Sequence, residues 1–325
     1  MKKISNVYGF IKKVCLFITF CFFIQCFGTS NTHVSSSDAT YVCTEIYGIN
    51  VGYGLAIVVR EVWTDGVENV ILIDAGSGKY GHRVKHMLYR LHIKKINQLF
   101  ISHWHPDHVG GLPAVLEKFP VGTIYLPPEV PSENSEMKKV KDGTAYKNAK
   151  AAINMAKEKG TEIAKGVVNL GSISAGKTKI EDLTQPFTCD PVNSSLNHFS
   201  RILLPHIGAD ITAFMPGDAP LPEQKNALGT LPTGTKIDTW YASHHGNDHA
   251  NSRELYDKWF NPDGIVVVSC SEKKAAERNP YLLDNIKSHG FQRQCTWYLV
   301  DEQRMLAAGQ RSTGQKGDVQ RFYVT

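Results

Sequence analysis

The stretch INQLFISHWHPDHVGGL, residues 96–112, decides the fold of this 325-residue chain. It begins with a mainly apolar run, as long as a short buried strand, that ends at Ser102. Three histidines and one aspartate follow within six positions, and two glycines come directly after them. A loop that leaves a buried strand can direct several side chains to one point. We therefore predict a metal site at the end of this strand.

The spacing H-x-H-x-D-H provides ligands for two neighbouring ions. Imidazoles and carboxylates are the usual ligands of zinc. His103 and His105 are two positions apart, so they project to the same side of an extended segment. Asp107 and His108 fall in the turn beyond and reach a second ion. The glycines allow the next helix to begin close to the site.

Strands and helices alternate along the rest of the chain. YGLAIVVREV, residues 53–62, and NVILIDAG, residues 69–76, predict two strands joined by a turn, and residues 82–91 have a helical apolar period. The second half repeats this order of strands and helices. We expect an α/β fold, a pseudo-symmetric αβ/βα sandwich formed by one domain over residues 31–325.

The first thirty residues have the layout of a secretory signal. Lysines precede an unbroken apolar run, residues 14–24, and small and polar residues follow it. A retained membrane anchor is the alternative, but the run is shorter than the roughly 20 residues that a spanning helix needs. We expect an exported protein, periplasmic or extracellular, with membrane attachment only through this leader or a lipid on Cys26.

Charge and cysteine content say little about partners. The four lysines of residues 1–30 account for most of the formal net charge of +5, which falls to +1 without them. Four cysteines remain beyond the leader, and either one or two disulfides or four unpaired thiols agree with the sequence. These are Cys43, Cys189, Cys270 and Cys295. No obligate protein partner is inferred.

A lysine-rich segment, residues 138–165, interrupts the alternation. It contains eight lysines and three acidic residues and is expected to be helical. Such a segment is usually a solvated helix face, and a nucleic-acid patch is the alternative.

Four motifs resemble those of the metallo-β-lactamase superfamily. They are SHWHPDHVGGL, ILIDAGSG, FMPGDA and ASHHGND, at residues 102–112, 71–78, 214–219 and 242–248. The resemblance implies a four-layer αβ/βα sandwich with one or two zinc ions between its halves. It also implies that Asp74 steers a ligand, that Asp218 bridges two metals, and that His245 is a ligand with His244 beside it.

Within the superfamily, the motif order resembles the metallo-hydrolase domain of ComEC-type DNA-uptake proteins and their secreted relatives. In that group a segment with Asn and Ser takes the place of a further histidine, so Asn193 and Ser195 are expected to contact substrate or water. The histidines in this interval are His198 and His206. A lone histidine such as His198 is more often structural or exposed than a ligand.

The resemblance implies a hydrolase with two divalent metals, zinc or manganese, that uses a bridging hydroxide. His103 and His105 would hold metal one, while Asp107, His108 and His245 would hold metal two. Asp107 and His244 are the expected catalytic residues. The expected substrate is a phosphodiester, either nucleic acid or a small molecule. A β-lactamase or lactonase, and a non-catalytic metal-binding module, are the alternatives.

Overall fold

The computed structural model describes residues 41–64, 66, 68–207, 211–270, 297–298, 305–306 and 319–324. The predicted signal segment, residues 1–30, lies outside this part of the chain. Within it, none of the helices has the length and apolar character needed to cross a bilayer.

Seven strands form the first sheet. They are β1 (Tyr41–Ile49), β2 (Ile57–Trp63), β3 (Glu68–Ile73), β4 (Ile96–Phe100), β5 (Val121–Tyr125), β6 (Glu162–Ala164) and β15 (Val319–Val324). Their order across the sheet is β15-β1-β2-β3-β4-β5-β6. The pairs from β15 to β3 are antiparallel, and those from β3 to β6 are parallel. The predicted hairpin of residues 53–76 is β2 and β3.

Six strands form the second sheet. They are β7 (Gly171–Ala175), β8 (Thr178–Asp182), β9 (Leu203–Ile207), β10 (Ile211–Phe214), β11 (Ile237–Tyr241) and β12 (Phe260–Val267). Their order is β12-β11-β10-β9-β8-β7, and β10, β11 and β12 are parallel. A separate antiparallel pair joins β13 (Trp297–Tyr298) to β14 (Met305–Leu306).

Seven α-helices are described. They are α1 (Gly81–Arg90), α2 (Pro106–Val109), α3 (Leu112–Leu116), α4 (Ser135–Asp142), α5 (Thr144–Glu158), α6 (Leu221–Leu228) and α7 (Arg253–Trp259). The predicted helix at residues 82–91 is α1, which buries Val84, Met87 and Leu88 on one face. The lysine-rich segment differs from the expected helical insertion, because it continues from α4 and α5 into β6.

Apolar side chains fill three layers between helices and sheets. One cluster joins β3, β4 and β5 to α1, α3 and α5, and another joins β11 and β12 to α6 and α7. A third lies between the sheets, where Ile57, Ile71 and Phe100 of the first sheet share a cluster with Leu203 and Met215 from the second-sheet half. The four-layer α/β sandwich expected from the sequence is therefore confirmed.

The parallel strands of both sheets end near the predicted site residues. In the first sheet, β3 ends just before Asp74 and β4 ends three residues before His103. In the second sheet, β10 ends four residues before Asp218 and β11 ends shortly before His244. Since parallel strands present their carboxyl ends at one edge, the fold places these residues at matching edges of the two sheets.

Candidate metal centre

The loop after β4 turns sharply into α2. His105 precedes this helix in an extended conformation, and Pro106 occupies its first position, where the missing backbone N–H costs no hydrogen bond. The chain beyond α2 packs closely against the loop after β3, and this packing requires glycine at residue 111. A Cβ atom at Gly111 would strike the carbonyl oxygen of Ala75. The glycines therefore allow the approach that the sequence predicted.

Three ligand atoms form the first group, from His103, His105 and Asp218, and all lie within 4.8 Å of one another. The Nε2 atom of His103 is 2.9 Å from His105 Nδ1 and 3.7 Å from Asp218 Oδ2. His103 and Asp218 are buried, whereas His105 is partly exposed. The group is thus mostly buried, and His105 is its partly exposed member.

A second group contains Asp107, His108 and His245, again within 4.8 Å. His245 Nε2 lies 3.2 Å from Asp107 Oδ2. Asp218 faces this group as well, because its Oδ1 is 3.2 Å from His108 Nε2 and its Oδ2 is 3.6 Å from His245 Nε2. Asp218 therefore lies between the two groups, as a bridging ligand must.

The donor atoms suit divalent cations. His108 Nε2, His245 Nε2 and Asp218 Oδ1 are buried and have no hydrogen bond of acceptable geometry in the structure. Buried polar atoms are normally hydrogen-bonded, and exceptions indicate a missing partner such as an ion. Imidazole nitrogens and carboxylate oxygens are also the ligands that zinc and manganese accept. The residues present therefore fit a two-metal centre.

The electrostatics of these groups favour cation binding. Burial lowers the pKa of His103 well below its usual value, so its imidazole is neutral and free to coordinate. Burial also opposes protonation of His108, but the carboxylates of Asp218 and Asp74 outweigh it and raise its pKa. Likewise, burial opposes ionisation of Asp218, yet His108 and His245 hold its pKa well below the usual range. A divalent cation would replace the proton that these carboxylates attract.

Asp74 orients one of the ligands. Its Oδ2 lies 2.7 Å from His108 Nδ1, and its Oδ1 accepts a hydrogen bond from the backbone N–H of Ser102 at 2.8 Å. The Ser102 hydroxyl donates to Asp74 Oδ2 at 2.6 Å. With its Nδ1 facing a carboxylate, His108 directs Nε2 into the centre.

The two neighbouring histidines after β11 have different surroundings. His245 is buried, its Nδ1 is 2.8 Å from the Ser269 hydroxyl, and its ring lies 4.3 Å from that of Tyr53. His244 belongs to neither group; its Nε2 is 3.9 Å from Asp218 Oδ2, and its side chain is 29% exposed. Both have positive φ angles, which turn the adjacent side chains in different directions.

Glu136 is a contact that sequence reasoning missed. Its Oε1 lies 3.1 Å from His105 Nε2, and its Oε2 accepts a hydrogen bond from the backbone N–H of Leu196 at 2.6 Å. The hydrogen bond with His105 lowers the pKa of Glu136 to about 2. It is an acidic residue in the first turn of a lysine-rich helix, and nothing in that pattern points to a metal centre 31 positions away.

The segment before β9 contains the two residues that are expected to contact substrate or water. Asn193 is exposed and donates to Asp190 at 2.7 Å, whereas the Ser195 hydroxyl accepts from the backbone N–H of Asn197 at 3.4 Å. Asn197 is the residue of this segment that reaches the centre, since its amide nitrogen lies 3.4 Å from His244 Nδ1.

The two histidines of the interval have other contacts. His198 Nδ1 lies 3.0 Å from Glu223 Oε1, and His206, on β9, has its Nε2 3.4 Å from Glu181. Neither belongs to the groups around Asp218. Within the described residues, those groups contain no further histidine for metal one.

One part of the chain matches a protein-family model. Residues 49–169 match the model of the metallo-beta-lactamase superfamily, and this segment contains the first histidine motif. This segment is therefore similar to the metallo-beta-lactamase superfamily, and the His/Asp clusters of the chain fit divalent metals. Members of this superfamily are generally metal-dependent hydrolases. No curated protein matches the chain.

Several solved structures are similar to this chain. A diphosphatase from the PhnP family is 16% identical, covering 72% of this chain and 86% of its own, with a TM-score of 0.38. The Rm3 metallo-beta-lactamase is 12% identical, covering 74% and 94%, with a TM-score of 0.39. A Cronobacter sakazakii metallo-beta-lactamase with a HARLDQ motif is 14% identical, covering 59% and 76%, with a TM-score of 0.37.

Proposed function

We propose that this protein is an exported hydrolase of phosphodiesters that uses two divalent cations, zinc in the first place and manganese as the alternative. The observation that carries the proposal is the position of Asp218 between two three-ligand groups. His103 and His105 would hold one cation, and Asp107, His108 and His245 the other. When bound, two such cations activate water for attack and neutralise charge on the leaving oxygen.

His244 suits the role of proton donor. The amide of Asn197 donates to its Nδ1, so the ring proton resides on Nε2, the atom that faces Asp218. The ring is partly exposed and belongs to neither ligand group, so it is not needed to hold a cation. A histidine so placed can donate a proton to a leaving oxygen. Asp107, unlike His244, would serve as a ligand of the second cation.

Surface charge supports an anionic substrate. Seven of the eight lysines at residues 138–165 are exposed, and none of the eight forms an ion pair with another described residue. The eighth, Lys150, lies 5.3 Å from the centre of the Trp104 ring, next to the ligand His105. The resemblance to ComEC-type domains agrees with a phosphodiester substrate and is part of this proposal.

A paired histidine substitution tests the function. The purified protein should contain two metal ions per chain and hydrolyse bis(p-nitrophenyl) phosphate, with little turnover of nitrocefin. His245→Ala should lose about one metal and about 100-fold or more in turnover. His249→Ala is the matched control, because the His249 side chain is 90% exposed and belongs to neither group.

Two results would contradict the proposal. Turnover of nitrocefin but not of the phosphate diester would identify a lactam hydrolase. An equal loss of turnover in His245→Ala and His249→Ala would contradict the two-metal assignment.

Export is tested by cell fractionation and by the mass of the mature protein. A cytoplasmic protein that retains residues 1–30 would contradict the proposed export.

A further inference from the structure

A third set of metal-ligating side chains lies outside the two groups around Asp218. It consists of Cys189, His198 and Glu223, whose ligand atoms lie within 4.8 Å of one another. The closest pair is His198 Nδ1 and Glu223 Oε1, at 3.0 Å. No residue is shared with the other groups, so the chemistry proposed above leaves this cluster unexplained.

Three separate segments hold these ligands. Cys189 is in the loop after β8, where the Asn134 side chain donates to the carbonyl oxygens of Pro191 and Ser194 at 2.9 and 3.0 Å. His198 belongs to the 3-10 turn Leu196–Phe199. Glu223 is in the first turn of α6 and is only 4% exposed. The fold itself therefore brings the three side chains together.

The donor set selects a class of cation. A thiolate, an imidazole and a carboxylate suit zinc and similar borderline-soft ions, whereas magnesium and calcium prefer oxygen ligands alone. Ligand atoms around a tetrahedral zinc are separated by roughly 3.5 Å. One separation in this cluster is 3.0 Å and none exceeds 4.8 Å, so small side-chain rotations would complete the geometry. Cys189 and His198 are partly exposed, which leaves a path for entry and a position for water.

We propose that Cys189, His198 and Glu223 bind a third divalent cation of the zinc class, separate from the pair at Asp218. The ion ties the loop after β8 and the 3-10 turn to α6. That turn also contains Asn197, the partner of His244. Occupation of this site therefore stabilises the wall of the active site without taking part in the reaction.

Cobalt(II) provides a test that is independent of activity. The full chain is stripped of metal, kept under a non-thiol reductant and titrated with cobalt. A thiolate bound to cobalt gives a strong charge-transfer band in the near ultraviolet, and neither group around Asp218 contains a cysteine. The wild type should show the band, whereas Cys189→Ser should lose it and bind one cobalt fewer per chain.

Val192→Ala is the matched control, since Val192 is an exposed residue of the same loop without a ligand atom. It should retain the band and the full cobalt count. Should Cys189→Ser fail to fold by circular dichroism, His198→Gln keeps the thiol and should weaken cobalt binding at this site alone.

An unchanged band in Cys189→Ser, or a wild type without the band at saturating cobalt, overturns the inference. The test compares the number of bound cobalt ions and the thiolate band between wild type and Cys189→Ser. Its result therefore does not depend on whether the centre at Asp218 is active.

Discussion

Glu136 lies outside the histidine motif and orients His105, a candidate metal ligand. One of its oxygens accepts from His105 Nε2 at 3.1 Å, and the other is held by the backbone N–H of Leu196 at 2.6 Å. The carboxylate is therefore fixed on both sides, and the imidazole of His105 must direct Nδ1 towards His103. Partners of this kind typically change metal affinity about 10–100-fold.

Glu136→Gln should lower the affinity of the first group for zinc about tenfold, and Glu136→Ala should lower it further. The amide retains the size of the side chain but loses the charge that strengthens the hydrogen bond from His105. Competition with a chromogenic chelator measures the affinity. Glu133→Gln is the matched control, because Glu133 is an exposed glutamate of the same segment.

Glu136 also predicts the direction in which the stability of the folded protein changes with pH. The pKa of Glu136 is about 2 in the folded chain, below the ordinary value of 4.5. Its interaction therefore stabilises the protein above pH 4.5, and the increment is lost as the pH falls towards 2. The stability difference between wild type and Glu136→Gln should vanish over that interval. A difference that grows on acidification would contradict this assignment.

At the scale of elements, α4 and α5 add positive charge beside the centre. α4 carries Glu136 in its first turn, and α5 places the ring of Tyr146 5.1 Å from that of Trp104. Each helical residue adds about 1.5 Å along the axis, so the backbone positions of the lysines of α4 lie within about 10 Å of that of Glu136. Charges at that range attract an anionic substrate and are screened by salt.

Lys138→Glu with Lys141→Glu should raise the KM for an anionic phosphodiester about three- to tenfold at low ionic strength, and the increase should shrink at high salt. Lys157→Glu with Lys159→Glu, at the far end of α5, is the matched control with the same change in charge. Measuring the KM of both double variants at two salt concentrations tests whether the lysines of α4 attract the substrate. Equal effects from both pairs would mean that net charge alone is responsible.

At the scale of the whole molecule, the buried side chain of Arg201 connects the two sheets. Arg201 forms an ion pair with Asp182 at the end of β8, and both side chains are fully buried. The Nη2 atom of Arg201 also donates to the carbonyl oxygen of Leu126, just beyond β5, at 2.6 Å. The second sheet is thereby joined to the first near the end that carries the metal centre.

Arg201→Leu should destabilise the protein by about 3–5 kcal/mol, because it leaves the Asp182 carboxylate buried without its cation. The double variant with Asp182→Leu should recover part of the loss, since no unpaired charge remains. Urea unfolding measures both. Lys225→Ala is the control, because its ion pair with Glu254 is exposed and should contribute no more than about 1 kcal/mol. A double variant no more stable than the single one would contradict the ion-pair explanation.

The local elements of the fold follow from patterns that are short along the chain. The strand at residues 96–100, the turn after it and the helix at Gly81–Arg90 each depend on apolar spacing within about ten residues. The lysine-rich segment was less predictable. The strand at its end depends on the pairing of β6 with β5, a contact between residues about 40 positions apart.

The sequence by itself determined the strand-turn-helix motif and the set of candidate ligands at residues 103–108, because the spacing of neighbouring residues limits where their side chains can reach. Tertiary structure alone decided that Glu136 holds His105 and that His198 meets Glu223, and it placed His245, the ligand that the resemblance implied, in a ligand group. These contacts join residues 25 or more positions apart, or depend on backbone angles set by packing. Close packing of the sheets and helices fixes such contacts, and no short sequence pattern encodes them.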